Sequence, residues 1–430
     1  MSGDATPGVT EAVTDVVAEA VTGAVSAVSW RRGAGIAGIA IGVVAAAAAT
    51  GVAVERLTVS RSVRRKARTA LDAAGPYGEL RGTSGTAVAE DGTALSYEVD
   101  EPADFGGTGE PGPGPGAGRR GPFRRRTAAP TTVVFSHGYC LNQDAWHFQR
   151  AALRGLVRTV YWDQRGHGRS ARGPVASAAG EPVSIDRLGR DLSAVIDAAA
   201  PEGPLVLVGH SMGGMTVMAL AAEFPELVRE RVTGIAFVGT SAGRLAEVSF
   251  GLPAVGVNAV RRVLPGVLRV LGPRAELVER GRRATADLFA GVVKRYSFAS
   301  RDVDPAVARF AERMIEATPF EVVADFYPAF AEHDKSEALA GLDGLPVLVL
   351  AGEQDLITPA GHSEAVAERL DGADLVLVPD AGHLVMLEHP GTVTDRIVEL
   401  LVRAGALPAG TTVNGYGTER APSRTTADGG

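Results

Sequence analysis

From Gly82 onward, the apolar positions fall into short runs divided by turn residues. Residues 86–89 and 95–99 flank Asp91-Gly92, which predicts a β-hairpin. Beyond it, 132–135, 159–162, 205–208, 235–238, 347–350 and 375–378 are apolar runs of strand length. Helical periodicity over 144–153, 185–199, 212–223, 359–370 and 390–404 separates most of them. This alternation implies an α/β architecture, a mostly parallel central sheet with helices on both faces. One interval breaks the rhythm. Residues 241–344 carry no strand signal but several helical ones, such as 304–317 and 320–332, which predicts a helical cap inserted over the carboxyl edge of the sheet. The core thus divides into 82–240 and 345–404. Within the first part, 101–130 is a flexible Gly/Pro/Arg loop, and 405–430 is expected to be a disordered tail.

Ahead of the core the pattern differs. Residues 1–32 place valines at helical spacing among Asp4, Glu11, Asp15 and Glu19, a weakly amphipathic segment. Residues 33–54 are uncharged and long enough to cross a hydrocarbon layer of roughly 30 Å, although much of the run is Gly and Ala. The basic connector 55–81 then carries Arg56, Arg61, Arg64, Arg65, Lys66 and Arg68, against Arg31 and Arg32 before the run. Such asymmetry predicts a membrane anchor with the downstream domain on the cytoplasmic side. Two other readings stay open, a cleavable leader and a soluble cytoplasmic chain in which the run is a small-residue helix.

Composition narrows the function. With 43 basic and 50 acidic residues, the net charge is −7 and the basic residues form only short clusters, which excludes a dedicated nucleic-acid binder. Cys140 is the only cysteine, so no internal disulfide can form. The eight histidines show no zinc-ligand spacing, and neither metal nor cofactor is expected.

The chemistry begins after the run 205–208. There Gly209-His210-Ser211-Met212-Gly213 turns a strand into the apolar helix 212–223, the setting in which a G-x-S-x-G elbow holds a serine hydroxyl exposed above a sheet. His137-Gly138 follows another strand, Asp163-Gln164-Arg165-Gly166-His167-Gly168-Arg169-Ser170 a third, and Gly352-Glu353-Gln354-Asp355 and Gly382-His383 the last two. On these motifs, from residue 82 to 404, the chain resembles the α/β-hydrolase fold family, specifically its capped serine esterase and lipase-like branch.

That resemblance implies a triad in the chain order nucleophile, acid, histidine. Ser211 would be the nucleophile, His383 the general base and Asp355 the residue that orients it, with Glu353 the reserve acid and His389 and His362 the less favoured bases. Backbone amides of Met212 and Tyr139 would form the oxyanion hole, and His137 would order the second of these loops. Cys140 lacks an elbow and reads as a packed or incidental thiol. The segment 163–170 reads as a rigid turn at the rim, and cap aromatics such as Phe298, Phe310, Phe326 and Phe330 line an acyl pocket or form the cap's own core. The expected reaction is cleavage of a small-molecule acyl ester through an acyl-enzyme. Other cofactor-free chemistry of the fold (perhydrolase, carbon-carbon hydrolase, acyltransferase) and a non-catalytic ligand sensor stay open, as does the oligomeric state.

Overall fold

The computed structural model describes residues 77–103, 129–174, 182–249, 286–300 and 302–413. The predicted span 33–54 and most of the loop 101–130 lie outside them. Among the described residues, no helix is long and apolar enough to cross a membrane.

Eight strands form one sheet: β1 (Thr83–Val88), β2 (Ala94–Asp100), β3 (Thr132–Ser136), β4 (Arg158–Trp162), β5 (Leu205–His210), β6 (Val232–Val238), β7 (Val347–Gly352) and β8 (Asp374–Val378). Their spatial order is β1-β2-β4-β3-β5-β6-β7-β8. The hairpin β1–β2 and the pair β2–β4 are antiparallel, and every other pair is parallel. Chain direction across the sheet reverses between β3 and β5, where Ser136 lies opposite Gly209. At such a switch point the loops leaving two neighbouring strands part and open a crevice above the sheet.

The helices are α1 (His147–Leu153), α2 (Ile185–Ala199), α3 (Met212–Glu223), α4 (Pro225–Arg231), α5 (Ala286–Ser297), α6 (Pro305–Ala317), α7 (Phe320–Glu332), α8 (Ala360–Ala367), α9 (Val385–Glu388) and α10 (Pro390–Arg403). Strand side chains alternate between two apolar layers, because successive residues point to opposite faces. Val133, Phe135, Val206 and Val208 join α1 and α10 on one face, whereas Val134, Leu205 and Leu207 join α2 and α3 on the other. With both faces covered, these strands have no polar side, which is why each reads as a continuous apolar run.

Several boundaries differ from expectation for local reasons. Residues 143–146 form a 3₁₀ turn capped by Asn142, and only then does α1 begin. The helix expected over 359–370 is the shorter α8. Helix α4 was not anticipated: Pro225 opens it directly after α3, and the seven-residue piece is too short to show a period. Within 405–413, read above as the start of a disordered tail, Leu407 and Val413 pack into the α1–α10 layer. Tyr77, at the end of the basic connector, meets Phe148 and Phe310 edge-on or tilted.

Candidate active site

Ser211 stands between β5 and α3 with φ 52° and ψ −119°. A non-glycine residue there carries strain of order 1–3 kcal/mol, which the surrounding structure must offset. The Ser211 amide donates to the Val238 carbonyl at 2.9 Å, and its carbonyl accepts from Thr240 Oγ at 2.7 Å, so the loop after β6 holds the elbow on both sides. The glycines of the elbow and of the loop after β3 that packs on it are there for space. A Cβ on Gly213 would strike the Ser136 carbonyl, and one on Gly138 would stand 2.6 Å from His210 Nδ1 and 3.2 Å from Ser211 Cβ.

The loops after β7 and β8 bring the other two predicted residues to the serine. Asp355 Oδ1 accepts from the Ile357 and Thr358 amides at 2.7 and 2.9 Å. Its Oδ2 lies 2.7 Å from His383 Nδ1. A carboxylate can only accept, so Nδ1 carries the proton and Nε2 is left to accept from the Ser211 hydroxyl, 3.0 Å away. All three residues are buried. Burial works to raise the Asp355 carboxyl, but the electrostatic attraction of the adjacent His383 ring and the hydrogen bonds from His383, Thr358 and Ile357 outweigh it and hold the group below its ordinary value. Glu353, the reserve acid, is exposed, and the other two candidate histidines have other partners. His362 bonds Ser241 Oγ at 2.8 Å, and His389, although at the N-cap of α10, turns its ring to the Asp380 carbonyl at 3.2 Å.

The two amides expected to meet an oxyanion lie on loops brought together at the switch point. Met212 opens α3, where the first N–H groups of a helix lack intrahelical acceptors. Tyr139 follows Gly138, whose Cα packs on the elbow. The Tyr139 hydroxyl donates to the Val323 carbonyl of α7 at 2.6 Å, and its ring meets Phe330 edge-on at 4.9 Å. Helix α7 therefore closes over this loop, and its Val322, Phe326 and Ala329 pack with Met212 and Met215. Burial pushes the Cys140 thiol up to about 12, which keeps it protonated and unreactive at neutral pH.

Two residues that the sequence did not single out hold these loops. Gln164, from the segment read as a rim turn, donates its amide N–H to His137 Nε2 at 2.9 Å and its side-chain N–H to the His137 carbonyl at 2.5 Å. Its Oε1 accepts from Thr216 Oγ of α3 at 2.7 Å, so one side chain joins the His137 loop to the helix behind the elbow. Thr358 Oγ lies 2.9 Å from both Asp355 Oδ2 and the Gly239 carbonyl, and its single proton serves one acceptor at a time. The rest of 163–170 is scaffold: the Arg165 guanidinium makes two 2.5 Å bonds to Asp191 and a third to Asp91. His137, His167 and His210 are fully buried, and that burial lowers them to about 4, 3 and 3, so all three are neutral near pH 7. Among the described residues, no group of three or more His, Cys, Asp or Glu could hold a metal ion.

Known proteins share this fold. The chain is 28% identical over 265 residues to 3-oxoadipate enol-lactonase 1 of Acinetobacter baylyi, spanning 60% of this chain and 84% of that protein. An enol-lactonase from Burkholderia xenovorans superposes with a TM-score of 0.53 at 23% identity, covering 74% of this chain and all of the other. A thermophilic esterase from Thermogutta terrifontis gives a TM-score of 0.52 at 23% identity, covering 75% of this chain and 98% of the other. The family model for the alpha/beta hydrolase fold matches residues 131–390, from the residue before β3 to the first residue of α10. With the match running over most of the chain, and both the switch-point crevice and the elbow inside it, the protein belongs to the alpha/beta hydrolase fold family.

Proposed function

We propose that this hydrolase cleaves carboxylic esters through an acyl-enzyme on Ser211. The observation that carries the reading is the buried hydrogen-bonded chain from Asp355 through His383 to a serine held at a strained elbow. As the Ser211 oxygen attacks the ester carbonyl, His383 Nε2 takes its proton, and Asp355 stabilises the imidazolium that forms. The Met212 and Tyr139 amides receive the developing oxyanion, each contributing a few kcal/mol of barrier reduction. His383 then returns the proton to the leaving alcohol, and water, deprotonated by the same ring, releases the acid. No step calls on a metal or organic cofactor. The name of the Acinetobacter relative brings cyclic esters into the proposed range. Residues 241–344 act as the cap, whose Phe326 and Phe330, beside Tyr139, form an apolar wall next to the elbow.

Initial rates on nitrophenyl esters of increasing acyl length, for the wild-type protein and Ser211→Ala, test the reading. Ser211-dependent turnover that peaks at one length is expected; equal rates for both proteins on every ester would overturn it. Anchoring through 33–54 is a separate proposal. Membrane fractionation of the whole chain beside one lacking residues 1–68 decides it, since loss of membrane recovery is expected only in the shortened chain.

A further inference from the structure

The loop that carries His383 is held from two sides. On the core side, His210 Nε2–H donates to the His383 carbonyl at 2.9 Å, and the Gln354 amide donates to the Ala381 carbonyl at 3.0 Å. The other side belongs to the last residue of α5 and the residues that follow it in the cap. The Leu384 amide donates to the Ser297 carbonyl at 2.8 Å. The two backbones run so close that a Cβ on Gly382 would stand 2.7 Å from the Ala299 nitrogen and 2.8 Å from the Phe298 carbonyl carbon.

One side chain spans this contact. Glu388, at the end of α9, accepts from the Gly382 amide through Oε2 at 2.7 Å and from the Ser300 amide through Oε1 at 2.7 Å. The Ala299 amide lies 3.1 and 3.3 Å from the two oxygens. Both carboxylate oxygens are therefore in use, one facing the histidine loop and the other the cap. Gly382, Ala299 and Ser300 lie outside regular secondary structure, so the carboxylate is what brings their backbone N–H groups to one point.

The geometry assigns Glu388 a role that rests on the serine-hydrolase reading: we propose that it is a positioning residue, joining the cap to the histidine loop so that the seating of the cap sets where His383 stands relative to Ser211. The glutamine isostere separates this from simple packing. Glu388→Gln keeps the size of the side chain but has one acceptor oxygen, and its NH₂ would face an N–H on the other side. With its oxygen toward Gly382 it loses the Ser300 bond and keeps only the longer 3.3 Å approach of Ala299; with its oxygen toward Ser300 it loses the histidine loop.

The test uses the whole chain and two independent measurements. Hydrogen exchange in Glu388→Gln should quicken at least tenfold in peptides covering 297–300, 381–384 or both, and remain unchanged over 205–216. Steady-state kinetics on the best nitrophenyl ester should show kcat lowered about tenfold or more with KM within threefold, because the base is displaced while the acyl site is kept. Glu388→Ala should change both measurements in the same direction; if it does not fold, the glutamine variant still decides. Exchange and kcat both within twofold of wild type would overturn the proposal, as would a lowered kcat with unchanged exchange. Faster exchange in a protein whose wild type shows no Ser211-dependent turnover would keep the bridge, remove its catalytic role and count against the esterase reading alone.

Discussion

Gly138→Ala tests whether the crevice depends on close approach of backbone to the elbow. The new methyl would stand 2.6 Å from His210 Nδ1 and 3.0 Å from Cε1, whereas ordinary contact begins at 3.4 Å, so one partner must retreat by about 0.8 Å. The imidazole has little room to do so. It is buried without exposure, and its Nε2–H is bound to the His383 carbonyl. Overpacking of this kind costs about 1–3 kcal/mol. At roughly 2–4 °C per kcal/mol for a domain of this size, the melting temperature should fall by about 2–12 °C. The rate should suffer more. A displacement near 1 Å at a reacting group lowers turnover about 100-fold, so kcat should drop by that order on any ester the wild type accepts. Gly341→Ala is the control, since nothing lies within 4 Å of its new methyl. Thermal melting and initial rates on the three proteins suffice. A Gly138→Ala protein with a rate within twofold of wild type and an unchanged melting temperature would refute the reasoning, because the loop could then back away without moving His210 or Ser211.

Acid should weaken the fold through His137, His167 and His210, held at about 4, 3 and 3 in the folded chain. Their unfolded counterparts bind protons below about 6.5, so stability present above that pH is lost as pH falls toward 3–4, with a slope approaching about 4 kcal/mol per unit for three protons. Urea midpoints between pH 7.5 and 5 read this directly, and a flat profile contradicts it. Gln164→Leu strips the His137 carbonyl and the Thr216 hydroxyl of a partner. A stability loss of about 1–3 kcal/mol is expected, with kcat reduced more than KM is raised, and an unchanged enzyme would show that Gln164 joins nothing of consequence. Cys140, raised to about 12, should react with iodoacetamide at pH 8 at least 100-fold more slowly than a free thiol of pKa about 8.5; labelling at the free-thiol rate would be the contrary result.

What could be read from the chain was whatever is local. The elbow needs a strand, a serine between small residues and a helix, all within 205–223, and each is visible in the one-dimensional pattern. Ser211, Asp355 and His383 follow from motifs at strand ends, and α6 and α7 from their periods and, for α6, from Asp304-Pro305 at its start. The supporting contacts were hidden because they join distant positions. Gln164 reaches Thr216, and Tyr139 reaches Val323. Nothing in the neighbourhood of either partner announces the other. Thr358 gave a partial signal, for an acid three residues before a threonine and a proline reads as a turn cap. Asp355 does cap that turn with one oxygen while the other bonds His383 Nδ1, so turn-capping and the proposed orienting role fall to two atoms of one carboxylate.

Strands β6 and β7 are paired residue against residue, Ile235 with Val347 through Val238 with Leu350, although about a hundred residues of chain separate them. Closing such a connection costs little more when it is long than when it is short, roughly 0.6 kcal/mol for each doubling. The sheet is therefore nearly indifferent to what is inserted between these two strands. Evolution, or an engineer, can exchange that insert for one of another length and shape without disturbing the register of the strands whose ends carry Ser211 and Asp355. The contacts with the core constrain the exchange: the residues after α5 that meet Gly382 and Glu388, the face of α6 that packs into the α1–α10 layer, and the part of α7 that receives Tyr139 and covers Met212 and Met215. A chimera that keeps those contacts and replaces the rest is the natural way to give this scaffold a new substrate preference.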